Sequence, residues 1–206
     1  MRHPRLAPWV VAGCTAAFGV AIALRDLVNP WLSNAGVAAV ALALSAWILG
    51  SRLGELMVWR LRGALVAAGL GVLLVAATHV GYRIAVAGVP ALELVVAELY
   101  RDIAARPPWL VTALAIALVV AAEEVLWRGV AVEILGRRFS PRGVIALAPI
   151  LYAVPQLIGG AWILLAAALA LGLVFTAQRL RGENLTEPFL THIIWSLSVF
   201  HVAPLV

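Results

Sequence analysis

The sequence predicts an all-α fold, a polytopic transmembrane helix bundle of about seven membrane helices forming one domain over residues 1–206. Three observations predict it. The chain is 64% hydrophobic and only 12% charged, with a mean hydropathy of +1.04, whereas soluble domains are about 45–50% apolar and about 25% charged. Apolar runs long enough to cross a hydrocarbon slab of about 30 Å, at about 20 helical residues per crossing, recur along the whole chain. All 15 basic residues are arginines, and they gather in short gaps between those runs.

The first run, 7–24, follows Arg2 and Arg5. It contains Val11-Ala12-Gly13-Cys14, which has the look of a lipoprotein cleavage box. The apolar stretch before it is short for a signal core, however, and the chain stays apolar through Leu24, so a first membrane helix is expected. A single cysteine rules out an intrachain disulfide and any multi-cysteine metal site. Further spans are expected at 31–50, 63–81, 109–134, 143–158, 160–177 and 187–205. Segment 84–106 begins apolar and then carries Glu93, Glu98, Arg101, Asp102 and Arg106 before Pro107-Pro108. It reads as an interfacial amphipathic helix or a re-entrant piece, with an eighth crossing left open.

Short cytoplasmic loops are enriched in arginine. Placing the N-terminus inside puts Arg2, Arg5, Arg52, Arg60, Arg62, Arg137, Arg138, Arg142, Arg179 and Arg181 in the cytoplasm. Arg25, Arg83, Arg101 and Arg106 then lie outside, and Arg128 stays within a span. The N-terminus is therefore expected in the cytoplasm and the C-terminus outside. The net charge of +5 and pI near 10.6 do not imply nucleic acid, because no basic stripe with interleaved aromatics lies outside the membrane segments. The expected partner of these arginines is the lipid bilayer.

Fourteen uncharged residues, Trp109 to Ala122, precede Glu123-Glu124-Val125-Leu126-Trp127-Arg128. At about 1.5 Å of rise per residue they span about 21 Å, which carries Glu123 well inside the slab. An ionisable group there costs about 2.5–3.5 kcal/mol on insertion scales, and such a residue is functional by default. Glu124 and Arg128 stand at i and i+4 and can pair. Glu123 lies about 100° away around the helix and is left as the free carboxylate. Beside a confined water, a carboxylate can act as general base. The competing reading puts all three charges at the cytoplasmic end of a long helix, where they snorkel to water.

His192 and Ser196, one turn apart, could hold a proton and an oxyanion, or could be interhelical hydrogen-bonding glue. In Tyr152-Ala153-Val154-Pro155-Gln156, Pro155 removes a backbone hydrogen bond, so a bend is expected, and Gln156 brings an amide into an apolar run. His79 is a lone polar residue of the third span, and His201, nine residues after His192, falls on roughly the opposite face. The stretch Arg179 to Pro188 reads as a short hairpin, with Gly182 for the turn and Pro188 in the first turn of the next helix.

Together these segments resemble the CPBP family of membrane-embedded proteases, the CAAX-processing and bacteriocin-processing proteins. The family pattern is Glu-Glu-x-x-x-Arg, then an aromatic-x-x-x-His, then His-x-x-x-Asn or a similar small polar residue, on three core helices. The first motif is complete in Glu123-Glu124-Val125-Leu126-Trp127-Arg128, and the third is present as His192-Ile193-Ile194-Trp195-Ser196, with serine for the commoner asparagine. The approach to the last motif, Gly172-Leu173-Val174-Phe175 and then Arg179 through Asn184-Leu185, is similar too. The middle motif departs, since Gln156 stands where the family usually has histidine, and glutamine can orient a water but cannot take its proton.

The resemblance covers about 109–200 and implies a catalytic core there, with endoproteolysis in or beside the membrane and no acyl-enzyme. Glu123 with His192 would activate water, Ser196 and Gln156 would donate to the oxyanion, and Glu124 with Arg128 would hold Glu123 in place. No cofactor is expected. A zinc site needs three good ligands, and only Glu123 and His192 are obvious candidates. The implied partner is a peptide or membrane-protein substrate, such as a peptide leader or a C-terminal sorting signal. The composition, rich in arginine, alanine and valine, points to a GC-rich bacterium and its inner membrane. Two other classes stay open: a non-catalytic scaffold or immunity protein, and a small transporter. The latter is weakened by the lack of an internal repeat.

Overall fold

The computed structural model describes residues 1–104 and 108–206, with side chains left out for 101–104. Among the described residues every regular element is helical. Helix α1 is Ala7–Ala23, α2 Pro30–Leu49, α3 the short Ser51–Leu56, α4 Leu61–Gly88 and α5 Ala91–Ala104. Helix α6 runs Trp109–Leu135 with a π-helical stretch at Glu124–Ala131. Helices α7 and α8 are Pro141–Ile158 and Trp162–Gly182; α9 is Thr186–Leu197, continued by π-helical Ser198–Val202. Five of them, α2, α4, α6, α7 and α8, are long and apolar enough to cross a membrane, whereas α1 and α9 are shorter. About seven spans were expected from the sequence. The difference lies in length, since α1 has 17 residues and the regular part of α9 has 12.

Local chemistry sets several boundaries. Asn29 caps α2, its side-chain oxygen accepting from the amides of Trp31 and Leu32 at 3.0 and 3.2 Å, with Pro30 at the first helical position. Ser140 starts α7 in the same way ahead of Pro141. Helix α7 then continues through Pro149 and Pro155 to Ile158. The third span is longer than expected and absorbs residues 84–88, and the charged stretch after it forms the separate amphipathic helix α5, which buries Val96 and Tyr100. Arg101, Asp102, Arg106 and Pro107, used in the reading of this segment, lie outside the residues whose side chains are described. At the α8–α9 hairpin the left-handed residue is Glu183 (φ 54°) rather than Gly182, which still belongs to α8.

The helices pack in a bundle in which α8 lies on α7, α9 on α4, α2 on α6, and α1 between α2 and α7. Gly172 of α8 permits one close approach: a Cβ there would sit 3.0 Å from the Pro149 Cβ and 3.2 Å from the Tyr152 ring. Large apolar side chains such as Trp9, Leu27, Leu61 and Leu94 face outward, as a lipid-facing surface requires.

The arginine-rich gaps meet at one end of the bundle. The Arg2 amide donates to the Ile48 carbonyl at 2.8 Å, the Leu185 amide to Leu56 at 2.8 Å, and the Thr186 hydroxyl to Val58 at 2.6 Å. Glu133 accepts from Arg52 at 3.2 Å and from Arg179 at 3.1 Å. The hydrogen bond that Arg52 donates to Glu55, with Glu133 beside it, holds the Arg52 guanidinium above its ordinary range. At the opposite end Arg25 donates to the Gly159 carbonyl at 3.1 Å, and the Tyr100 hydroxyl donates to Val199 at 2.7 Å.

Arg179 is buried and also donates through Nε to the Arg128 carbonyl at 3.1 Å. Arg179→Ala would leave that carbonyl and the Glu133 carboxylate short of a donor, at about 1.5–3 kcal/mol for a hydrogen bond to a charged group. A thermal midpoint in detergent several degrees lower is the expected result, with Arg179→Lys recovering part of it through Glu133.

Candidate active site

Three helices supply the polar centre: α6 with Glu123, Glu124 and Arg128, α7 with Tyr152 and Gln156, and α9 with His192 and Ser196. Glu123 closes the regular α-helical part of α6 and Glu124 opens its π-helical stretch. A π turn carries an extra residue and redirects the side chains on either side of it, which is why such stretches recur at functional sites. Here both glutamates reach one imidazole. Glu124 Oε1 lies 2.8 Å from His192 Nδ1, and Glu123 Oε2 lies 3.6 Å from His192 Nε2.

The expected Glu124–Arg128 pair is present, at 3.2 Å between Oε1 and Nη1, with both side chains fully buried. It is an ion-pair contact rather than an aligned hydrogen bond, and Arg128 Nε, Nη1 and Nη2 have no hydrogen-bond partner among the described residues. The guanidinium is instead held against aromatic faces, with Cζ 4.1 Å from the centre of the Tyr152 ring and 5.1 Å from that of Phe175. Arginine over an aromatic face gains about 2 kcal/mol when desolvated. Phe175 also stacks on the His192 ring, with centroids 4.6 Å apart.

Two features differ from the sequence-based expectation. Glu123 is not a free carboxylate, because the Tyr152 hydroxyl donates to its Oε2 at 2.9 Å. Glu124 does more than neutralise Arg128, because it also fixes the His192 ring. The ring is thereby set with Nδ1 toward Glu124 and Nε2 toward Glu123. The snorkelling alternative does not describe the Glu124–Arg128 pair, which is closed off from solvent.

Glu123, His192, Tyr152, Gln156 and Ser196 all line one cavity of about 250 Å³, whose wall is mostly apolar. Gln156 and Ser196 share this cavity, with no side-chain hydrogen bond to Glu123 or His192 among the described residues, and Gln156 Oε1 is buried without a hydrogen-bond partner among them. His79 and His201 do not line it. His79 sits beside Thr78, which accepts from the Trp195 indole at 2.9 Å, and His201 packs its ring on Trp109 at 5.8 Å. Tyr152 and Phe175 were not among the expected site residues. The signal for Tyr152 was there, since it occupies the aromatic position of the middle motif; Phe175 stood in the stretch that approaches the last motif, with no role attached to it.

Among the described residues no three His, Cys, Asp or Glu side chains are grouped so as to hold a metal ion. His192 faces Glu124 through one nitrogen and Glu123 through the other, and of the three only Glu123 and His192 line the cavity, two donors where zinc takes at least three protein ligands. The site therefore does not fit a resident zinc ion.

Tyr152→Phe removes one hydroxyl and keeps the ring under Arg128. Any cleavage that depends on Glu123 should slow by about tenfold, equal to about 1.4 kcal/mol, with KM nearly unchanged, because the carboxylate loses the donor that fixes its rotamer.

The Rce1-like family, described as type II CAAX prenyl endopeptidase Rce1-like, matches residues 105–198, a little under half of the chain. The match spans all three motif-bearing helices and is consistent with a CPBP-family intramembrane protease. No curated protein and no solved structure matches the chain.

Proposed function

We propose that this chain, a multi-pass membrane protein carrying an Rce1-like CAAX protease domain, is an intramembrane endopeptidase that uses a glutamate-activated water. The observation that carries this reading is the pairing of Glu123 with an oriented imidazole inside an apolar cavity. Glu123 Oε2 and His192 Nε2 stand 3.6 Å apart, a separation at which one water can hydrogen-bond to both. Glu123 takes a proton from that water as its oxygen attacks the scissile carbonyl. The oxyanion of the tetrahedral intermediate is met by donors from the same cavity, with Ser196 and Gln156 as the candidates. Collapse of the intermediate breaks the C–N bond, and the proton returns through Glu123 or His192 to the departing amine. Glu124 and Arg128 do not touch the reacting atoms in this scheme; they position His192.

The substrate we favour is a peptide or the C-terminal tail of a membrane-associated protein, with a sorting signal as the preferred case. Cleavage should be measured on a membrane-tethered reporter in proteoliposomes. Wild type is expected to cleave, and His192→Ala to lose about 10²–10⁴-fold in rate, the usual contribution of a positioned acid or base. One observation favours a second reading. Gln156 cannot accept a proton, and a wild-type protein that cleaves none of a panel of tethered peptides would support a non-catalytic scaffold or immunity protein.

A further inference from the structure

We infer that the lipid-facing side of the α1–α2 pair is a binding site for an anionic phospholipid, with one acyl chain held in a groove between the two helices and the headgroup phosphate on Arg2 and Arg5. The groove has a volume of about 560 Å³ and shares no residue with the cavity around Glu123. That volume lies within the range of about 300–1,000 Å³ usual for ligand sites. Its wall on α1 is built from Val10, Gly13 and Ala17, and on α2 from Val37, Val40 and Leu44. These positions recur every three or four residues, so each set lies on one face of its helix. Gly13 and Gly36 keep the groove open: a Cβ added at either would meet no atom within 4 Å. The bundle itself therefore does not fill this space.

Depth selects a lipid chain over a protein helix. From Leu6 to Ala17 on one wall, and from Gly36 to Trp47 on the other, the groove runs about 16 Å at about 1.5 Å per residue. That is the depth of one leaflet of a hydrocarbon core about 30 Å thick. A membrane helix of a second copy would need a seam through both leaflets. No residue lining the groove carries a charge, which suits a hydrocarbon chain.

Charge selects the headgroup. The groove's arginine-rich end is framed by Leu6 and Trp47. The His3 ring stacks on Trp47 with centroids 4.1 Å apart, and the Arg2 amide donates to the Ile48 carbonyl at 2.8 Å, which seats the segment from Arg2 to Arg5 across the end of α2. Arg2 and Arg5 are exposed and form no ion pair among the described residues, whereas Arg52 and Arg179 at the same end are taken up by Glu133. Two unpaired guanidiniums at the mouth of an apolar groove match a phosphate on an acyl chain. A zwitterionic headgroup brings its own cation to that place, so the pair favours a lipid of net negative charge. Bound there, the lipid braces the α1–α2 pair, whose other side walls the Glu123 cavity through Phe18, Ile22 and Asn34. The inference stands independently of the protease reading.

The site is tested by photo-crosslinking the full-length protein in phosphatidylcholine liposomes that carry a trace of phosphatidylglycerol with a diazirine on one acyl chain. Adducts are mapped by peptide mass spectrometry. They are expected on the α1 and α2 peptides that contain Gly13 and Gly36, and unlabelled phosphatidylglycerol should displace them where extra phosphatidylcholine does not. Arg2→Gln combined with Arg5→Gln should weaken binding about fivefold for each arginine removed. Gly13→Leu combined with Gly36→Leu should abolish the groove adducts by filling the space; if that variant does not fold, the arginine variant, altered only at exposed positions, carries the test. Three results overturn the inference: equal labelling by a diazirine phosphatidylcholine, labelling unchanged in the arginine variant, and a face shielded from the probe by a second copy of the chain.

Discussion

Replacing Glu123 by glutamine is expected to cut reporter cleavage by about 10²–10⁴-fold while leaving the thermal midpoint in detergent close to that of wild type. Glutamine keeps the size and the oxygen that the Tyr152 hydroxyl donates to, and it lies in a cavity rather than in close-packed core. What it loses is the ability to take a proton. The loss should appear in kcat with KM almost unchanged, because a group that acts on the water in the transition state contributes little to ground-state binding. Normal cleavage by Glu123→Gln would remove the carboxylate from the mechanism and with it the reading given above.

Glu124→Ala should be the most damaging single change to stability, at about 3–5 kcal/mol. The Glu124 carboxylate forms the buried ion pair with Arg128, and it also holds His192 Nδ1 at 2.8 Å. Removing it takes the ion-pair partner from a guanidinium held between two aromatic rings and frees the imidazole to turn. The double variant Glu124→Met with Arg128→Met separates these two consequences. Replacing a whole buried ion pair by apolar residues of similar volume is often neutral for stability, so the double variant should recover much of the thermal midpoint. Its cleavage should stay as low as that of Glu124→Ala, because His192 remains without its orienting carboxylate. Recovery of both would mean that the pair serves packing alone.

The membrane character, the helical class and the polar centre were legible from the sequence for one physical reason: charge inside an apolar run is costly, and the cost marks the position. That reasoning led to Glu123, Glu124 and Arg128 directly, and helical spacing correctly paired the last two. It could not supply the π-helical stretch at Glu124–Ala131, since Glu-Val-Leu-Trp-Arg-Gly-Val-Ala has no proline and reads as an ordinary helical run. Ideal 100° spacing therefore made Glu123 solitary and Glu124 fully used, whereas both carboxylates border the His192 ring. Tyr152 as a hydrogen-bond donor to Glu123 was hidden for another reason. It depends on how α7 lies against α6, which no local pattern encodes. Arg52 and Arg179, which the arginine count put at one end, do meet at Glu133, and Leu185 bonds to Leu56 beside them. Span number was harder to read, because apolar character continues past the helix ends and blurs 17-residue helices with longer ones.

Phe18, Ile22, Trp31 and Asn34 belong to α1 and α2, outside the stretch 105–198 shared with the Rce1-like family, yet they wall the same cavity as Glu123 and His192. In the proposed protease, the groups assigned to the chemistry lie within 105–198, while α1 and α2 add part of the wall a substrate would meet. Under the protease reading, α1 and α2 can diverge to accept new peptides while the carboxylates and the imidazole stay fixed. Two proteins with matching catalytic halves and unrelated N-terminal helices should then be counted as one reaction serving two different clienteles.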